Sequence, residues 1–405
     1  MSKIIPRNRP PSSSYPTPGP LPIALASFAN MFCVGTLYAL TTLQMELPRL
    51  LDISGPWSLA PFGAACLGLS VGVITCASLI EQKGTRIVAA WGTALWGFAV
   101  ASAGIFLARL NFIAILVSLL AGGIGVGWTY LAVVVLVGEA FSNLSLVRSA
   151  IGPMGFSSGA AACIMLDFVF NFASLDANSL GVGVTSAGIG FIVVGAATMV
   201  LVPSEKRKAP SLLKAQKSES DSFLFVLLFL NALPGMVIFD ALLPFASYHT
   251  QGTEYNPLQF LPYSMIALFS GGLLAPFLNS KFGPRLTFVV LFCLRGCLLA
   301  LLSQFKNATV AIACLLCGLF GHGNGFSILP GLVKAQLEQP ASFPSSYGRV
   351  LITWGIAGFV GSIMNSVLDA SLGDYAAVSL VIGVISFSFG AALYFVPSLG
   401  AASLI

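Results

Sequence analysis

Charge is what this sequence is short of. Only 8% of its 405 residues are Asp, Glu, Lys or Arg, against about 25% in a soluble domain. Water cannot be the solvent for most of such a surface. Histidine is scarcer still, at two residues, so a clustered His and carboxylate site for catalysis or a metal has little to be built from. No Walker-type loop occurs, and the G-x-G patterns follow no strand, so direct drive by ATP is excluded. The eight Cys all fall inside apolar runs and read as small reduced hydrophobes. Cys314 and Cys317 form a C-x-x-C without a second pair, which argues against a zinc or redox role. No cofactor or metal is expected, and no enzyme activity. The net charge of +5 is no nucleic-acid signal.

What is present is apolar length. Hydrophobic residues make up 57% of the chain, in runs near the roughly 20 residues that span a bilayer. Charges, Pro and Gly divide them into twelve predicted spans: 21–46, 56–80, 87–108, 110–138, 149–173, 180–202, 222–247, 257–279, 286–304, 308–333, 347–369 and 375–397. The fold class is therefore an all-α membrane protein. Residues 203–221 form a hydrophilic central loop between two six-span bundles, 21–202 and 222–397. Residues 1–20 read as a disordered cytosolic tail, with an organellar transit peptide as the alternative, and 398–405 as a short cytosolic one. With the N-terminus cytosolic, fifteen of nineteen Lys and Arg lie on the inside, as the positive-inside rule asks. Both termini are then cytosolic, in the plasma membrane or an organelle membrane.

One short turn is written twice. "ASLIEQKGTR" at 77–86 returns as "PFLNSKFGPR" at 276–285, and Leu79, Gly84 and Arg86 recur as Leu278, Gly283 and Arg285, all 199 positions on. Glu139 and Glu338 share that offset, and Arg148 and Arg349 are 201 apart. A run of matches at nearly constant spacing is an internal duplication. The turn resembles the loop signature G-x-L-x-D-R-x-G-R-R of the major facilitator superfamily, with Glu81 in place of the Asp. The resemblance implies two six-helix pseudo-repeats that rock about a central site. It also implies a cytosolic gate, here Glu81, Arg86, Glu139 and Arg148 in one half and Arg285, Glu338 and Arg349 in the other, latching the halves when the path is open outward.

In this superfamily the first, fourth, seventh and tenth spans line the path. That makes Asn30, Tyr38, Trp128, Tyr130, Asn231 and Asn324 candidates for substrate binding. Ionisable residues within spans are costly and face protein or a watery cavity. Asp240, close after Pro234 and Gly235, suits a gate or proton site, or a packing hydrogen bond. His322, in "GHGNG", suits proton coupling or a satisfied structural imidazole. Arg295 is either an anion contact or a partner for Asp240 or helix carbonyls, and Asp167 reads as structural. The Gly-rich stretches of spans 4 and 10 are expected to be moving contacts, static close packing, or both. "GTLYAL" at 35–40 and "RSAIGPMGFSSGAA" at 148–161 are similar to the oxalate/formate antiporter and monocarboxylate porter group. The resemblance points to proton-coupled symport or antiport of a small organic anion such as a monocarboxylate. The group is expected to carry a basic residue in span 8 and its oxalate branch another in span 11; spans 257–279 and 347–369 contain neither, apart from Arg349 at the cytosolic edge, which argues against oxalate exchange. An amino-acid or neutral-metabolite transporter and a non-transporting sensor are the alternatives. The expected partners are a small-molecule substrate, protons and the lipid bilayer, without nucleic acid, for a monomer.

Overall fold

The computed structural model describes residues 20–53, 55–203, 220–250, 260–302, 304, 307–337, 342–372 and 375–395. Every apolar run within them is helical. In the first half, α1 (Pro20–Gly35) and α2 (Leu40–Leu51) make one bent crossing through a 3-10 turn at Thr36–Ala39. Then come α3 (Ala60–Lys83), α4 (Thr85–Ala108), α5 (Phe112–Ala140), α6 (Ser145–Ile151), α7 (Pro153–Phe170) and α8 (Ala177–Leu201). The second half holds α9 (Ser220–Asp240), α10 (Leu242–Thr250), α11 (Phe260–Leu302), α12 (Ala308–Ala335), α13 (Phe343–Leu372) and α14 (Tyr375–Phe395). Glu338 and the central loop residues 204–219 lie outside the described residues.

Eleven helical stretches among the described residues are long and apolar enough to cross a membrane. One of them, within α11, crosses twice, because its backbone leaves the helix at Gly283, with φ 75° and ψ 158°. Gly84, between α3 and α4, has φ 87° and ψ 158°. The turn written twice is thus the same turn twice, in a conformation that glycine alone adopts freely. The two arms of α11 bring the crossings to twelve, six in each half.

The duplication extends into the packing. α5 packs on α3 and α4, and α4 on α8; likewise α12 packs on α11, and α11 on α14. Gly97 of α4 presses on the α8 backbone at Gly188 and Ile192. Gly296, 199 positions on, presses on α14 at Phe387, which is 199 positions beyond Gly188. Lipid supplies no hydrophobic drive between helices, so close backbone approach over small residues does the holding. Arg86 then ties α4 to the end of α8, donating to the Met199 and Val202 carbonyls at 3.1 and 3.0 Å. Arg285 does the same for α14 at Leu393 and Tyr394, at 3.0 and 3.2 Å. Carbonyls of a last helical turn have no partner within the helix, and a guanidinium supplies one.

Two groups of residues singled out from the sequence are placed here. Arg86, Arg285 and Arg148, which donates to the Phe141 and Ser142 carbonyls, brace helix ends within their own halves in this conformation. Arg349 bonds the Ser345 and Ser346 hydroxyls, each at 3.2 Å. Glu81 and Glu139 are exposed. The glycines of α5 and α12 also pack inside one half: Gly123 meets Ala65 of α3, Gly125 meets Gly92 of α4, and Gly323 meets Leu268 of α11. Other glycines face across the halves: on α13 Gly355 meets Cys66 and Ser70 of α3 and Gly358 meets Cys66, and on α3 Gly63 meets Ser362 of α13. The halves touch where α3 meets α13, α7 meets α11 and α2 meets α9.

Candidate functional site

Between the halves lies a cavity of ≈ 20 Å³, room for about one water. Its wall is largely aromatic: Tyr38, Tyr130 and Phe156 from the first half meet His322, Phe326 and Trp354 from the second. The rings interlock. Tyr130 and Trp354 have centroids 4.7 Å apart, Tyr38 and Phe156 5.0 Å, and His322 and Phe326 4.8 Å.

A short polar chain runs through this cage. The Trp354 indole, a donor only, gives its N–H to the Tyr38 hydroxyl at 3.0 Å. Tyr38 has one O–H of its own, and it lies 2.8 Å from His322 Nε2. Which of the two donates is set by the imidazole tautomer. The His322 ring lies on the α9 backbone, where a Cβ on Gly235 would collide with it. Tyr38 is placed by the 3-10 turn that breaks the first crossing. One residue of the first half therefore holds two of the second.

A second polar cluster sits toward the end of the bundle opposite the Gly84 and Gly283 turns, hereafter the far end. Asp240 closes α9 and is 1% exposed. Its carboxylate accepts from the Ser362 hydroxyl at 2.7 Å and from Asn365 Nδ2 at 2.9 Å, both on α13. Gln44 of α2 donates to the Asp240 backbone carbonyl at 3.0 Å and, more distantly, to its Oδ1 at 3.5 Å. Phe239 stacks on Tyr38 at 4.3 Å, linking this cluster to the cavity.

Of the residues singled out from the sequence, Tyr38, Tyr130 and His322 line the cavity. Asp240 lies beyond it. The others are elsewhere. Asn30 binds Thr198 at 2.7 Å and accepts from Thr93 at 2.6 Å, tying α1 to α8 and α4. Trp128 donates to Thr75 of α3 at 2.8 Å. Asn231 and Asn324 reach the His322 and Gly271 carbonyls, within the second half. Arg295 is buried and donates to the Asn231 and Leu230 carbonyls at 3.1 and 3.2 Å, with its guanidinium over the Phe292 ring. Those carbonyls are freed because Pro234 has no N–H for Leu230 and disturbs the next bond. Asp167 accepts from the Phe172 N–H at 3.1 Å and caps its own helix end.

Trp354, Phe156, Phe326, Gln44, Ser362 and Asn365 were not singled out. Attention to four spans left out α13, with Trp354, Ser362 and Asn365, and Phe156 of α7, whereas Gln44 and Phe326 lie within attended spans and were passed over. A signal existed for Trp354: tryptophan collects at membrane interfaces, so one in mid-span needs a buried partner for its N–H.

No family profile and no curated protein matches the sequence. Solved structures do. One, described as a Major Facilitator Superfamily (MFS) transporter, FucP, in the outward conformation, matches with a TM-score of 0.64 and 14% identity, over 92% of this chain and 99% of that one. Twelve crossings, a duplicated turn of the same backbone shape and a polar site between two halves agree with that likeness. The chain is a multi-pass membrane protein with the major facilitator fold.

Proposed function

We propose that this protein is a secondary active transporter that works by alternating access and couples a small organic anion, of monocarboxylate size, to protons. The observation that carries the proposal is the Trp354–Tyr38–His322 chain in a cavity walled by both halves. An imidazole that shares hydrogen bonds across the rocking interface links its proton to the relative position of the halves. The Tyr38, Tyr130 and Trp354 donors would orient a carboxylate, and protonated His322 would balance its charge. Asp240 is the second proton site of this reading. The Gly84 and Gly283 turns and both termini are placed in the cytosol by the distribution of Lys and Arg.

A neutral metabolite is the second reading. It is favoured by the wall itself, which includes neither Arg nor Lys, with Arg295 turned to helix carbonyls. Uptake of labelled lactate, pyruvate and oxalate into proteoliposomes, with and without an inward proton gradient, separates the two. A monocarboxylate whose uptake rises at least tenfold with the gradient, and loses that rise in His322→Ala, supports the first reading. No carboxylate uptake under any gradient, with uptake of amino acids or sugars instead, gives the second.

A further inference from the structure

We infer that Gln44 is a positioning residue that closes the far end of the path by reading the charge on Asp240. The inference rests on the proton coupling proposed above and assigns the coupling a lever. Gln44 is buried on α2 and has both ends of its amide committed. Its Oε1 accepts the Phe62 backbone N–H at the start of α3, at 2.7 Å. That partner can only donate, so the amide orientation is fixed and Nε2 must face Asp240. Gln44 thereby joins α2 and α3 of the first half to α9 of the second.

The rest of the cluster also suits a charged carboxylate. Asn365 Nδ2 lies 2.9 Å from both the Val237 carbonyl and Asp240 Oδ2. The carbonyl can only accept, so this amide is fixed as well. All three side chains around the carboxylate therefore donate to it, as an ionised acceptor asks. Protonated Asp240 must instead find an acceptor for its own O–H. The Ser362 hydroxyl can reverse its role. Asn365 Oδ1, buried and without a partner, can accept only if its amide turns away from Val237. Gln44 can do neither without giving up Phe62. Proton loading therefore removes the charge that the 3.5 Å contact of Gln44 answers, and it leaves this bridge between the halves on the Asp240 backbone carbonyl alone.

Among the described residues the titratable neighbour on α3 is Cys66, within electrostatic range of Asp240. On α12, His322 stands behind Phe239, whose ring lies 5.8 Å from the imidazole. Arg295 of α11 meets α9 at Leu230 and Asn231, some 14 Å along the helix from Asp240. The facing groups of α2 and α13 are the neutral Gln44, Ser362 and Asn365.

The test is a far-end distance followed against pH. Spin labels at Arg109→Cys and Thr309→Cys, both exposed, report on the two halves. Cys163, Cys293, Cys297 and Cys317, the cysteines that are not buried, are replaced by Ser. In proteoliposomes a long-distance population should be minor at pH 8 and grow several-fold as pH falls to 5.5. In Gln44→Leu it should already dominate at pH 8 and respond little to pH. Should that variant not fold, Gln44→Glu, of the same size, sets like charge against Asp240 and should open the far end at pH 8. A Gln44 variant that keeps the wild-type pH response overturns the inference. A distance insensitive to pH beside proton-driven uptake overturns it too and leaves the proposed coupling standing. If uptake and distance both ignore pH, the coupling itself fails.

Discussion

The two halves meet the same structural problem in different ways. In each, the first crossing is broken and leaves helix carbonyls to be satisfied inside the membrane. In the first half Trp96 of α4 donates to the Cys33 carbonyl at 3.0 Å, just before the 3-10 turn. In the second half Arg295, 199 positions on, donates to the Leu230 and Asn231 carbonyls before Pro234. A neutral indole serves one break and a guanidinium the other. The contrast is general. Asp240, Arg295 and His322 are each 1% exposed, and all belong to the second half. The buried acid of the first half, Glu46, is paired with Arg49 at 2.9 Å. The α1–α4–α8 junction is tied by neutral Asn30, Thr93 and Thr198. Asp240, Arg295 and His322 carry the buried charge of the second half, the first half holds its own in the Glu46–Arg49 pair, and Tyr38 and Gln44 are first-half residues that hydrogen-bond to His322 and Asp240.

The largest effect should come from glycines that differ only in which boundary they face. A Cβ at Gly123 collides with the Ala65 carbonyl inside the first half, and one at Gly355 with the Cys66 carbonyl and Ser70 across the halves. Gly123→Val should leave no monodisperse protein in detergent, because fixed backbone must part. Gly355→Val should fold, with a melting temperature within a few degrees of wild type, and lose transport more than tenfold, since the halves cannot close. Size-exclusion profiles, melting curves and uptake decide it. Equal behaviour of the two variants would remove the distinction between frame and moving interface.

Next in size is the contrast at the broken helices. Removing the Trp96 donor in Trp96→Phe should cost about 1 kcal/mol, the worth of an ordinary hydrogen bond. The Thr36 hydroxyl still reaches the Cys33 carbonyl at 2.7 Å. Arg295→Lys keeps a buried charge that costs about 2.5–3.5 kcal/mol in a membrane and loses the planar fork that serves two carbonyls. A loss of ~2–4 kcal/mol is expected, on the scale of broken buried ionic contacts. Thermal unfolding of both variants in one detergent gives the order. A smaller loss for Arg295→Lys would mean that the two positions are solved alike after all.

Much of this architecture is legible in the sequence, for a physical reason. Span length, loop charge and the twice-written Gly84 and Gly283 turns are local properties, and lipid enforces each of them residue by residue. The site is legible only in part. Tyr38 and His322 stand out because polar groups in an apolar run are costly and need an explanation. Trp354, Phe156 and Phe326 do not, because an aromatic that lines a cavity and one that fills a helix interface look the same in one dimension. Arg295 is legible only as a set of alternatives, an anion contact or a partner for Asp240 or helix carbonyls, and setting α9 beside α11 picks the carbonyls freed by Pro234. Gln44 and Asn365 were passed over because an amide draws its meaning from what faces it, here one carboxylate on α9.

The smallest expected difference is no difference at all, and it tests the repeat where it is most faithful. Arg86 and Arg285 each hold the last carbonyls of the final helix of their half. Both are half-buried, so solvent screening discounts the bond. Arg86→Ala and Arg285→Ala should each cost about 1 kcal/mol, equal within error in thermal unfolding, with gradient-driven uptake changed less than twofold. A residue that latches the halves behaves otherwise. Its loss shifts the balance of inward and outward states and moves uptake more than stability. Equal stability losses with uptake preserved would identify both arginines as braces. A large uptake effect at Arg86 alone would mean that the first half has a latch the second half lacks, and the contrast between the copies would then extend to their most similar turn.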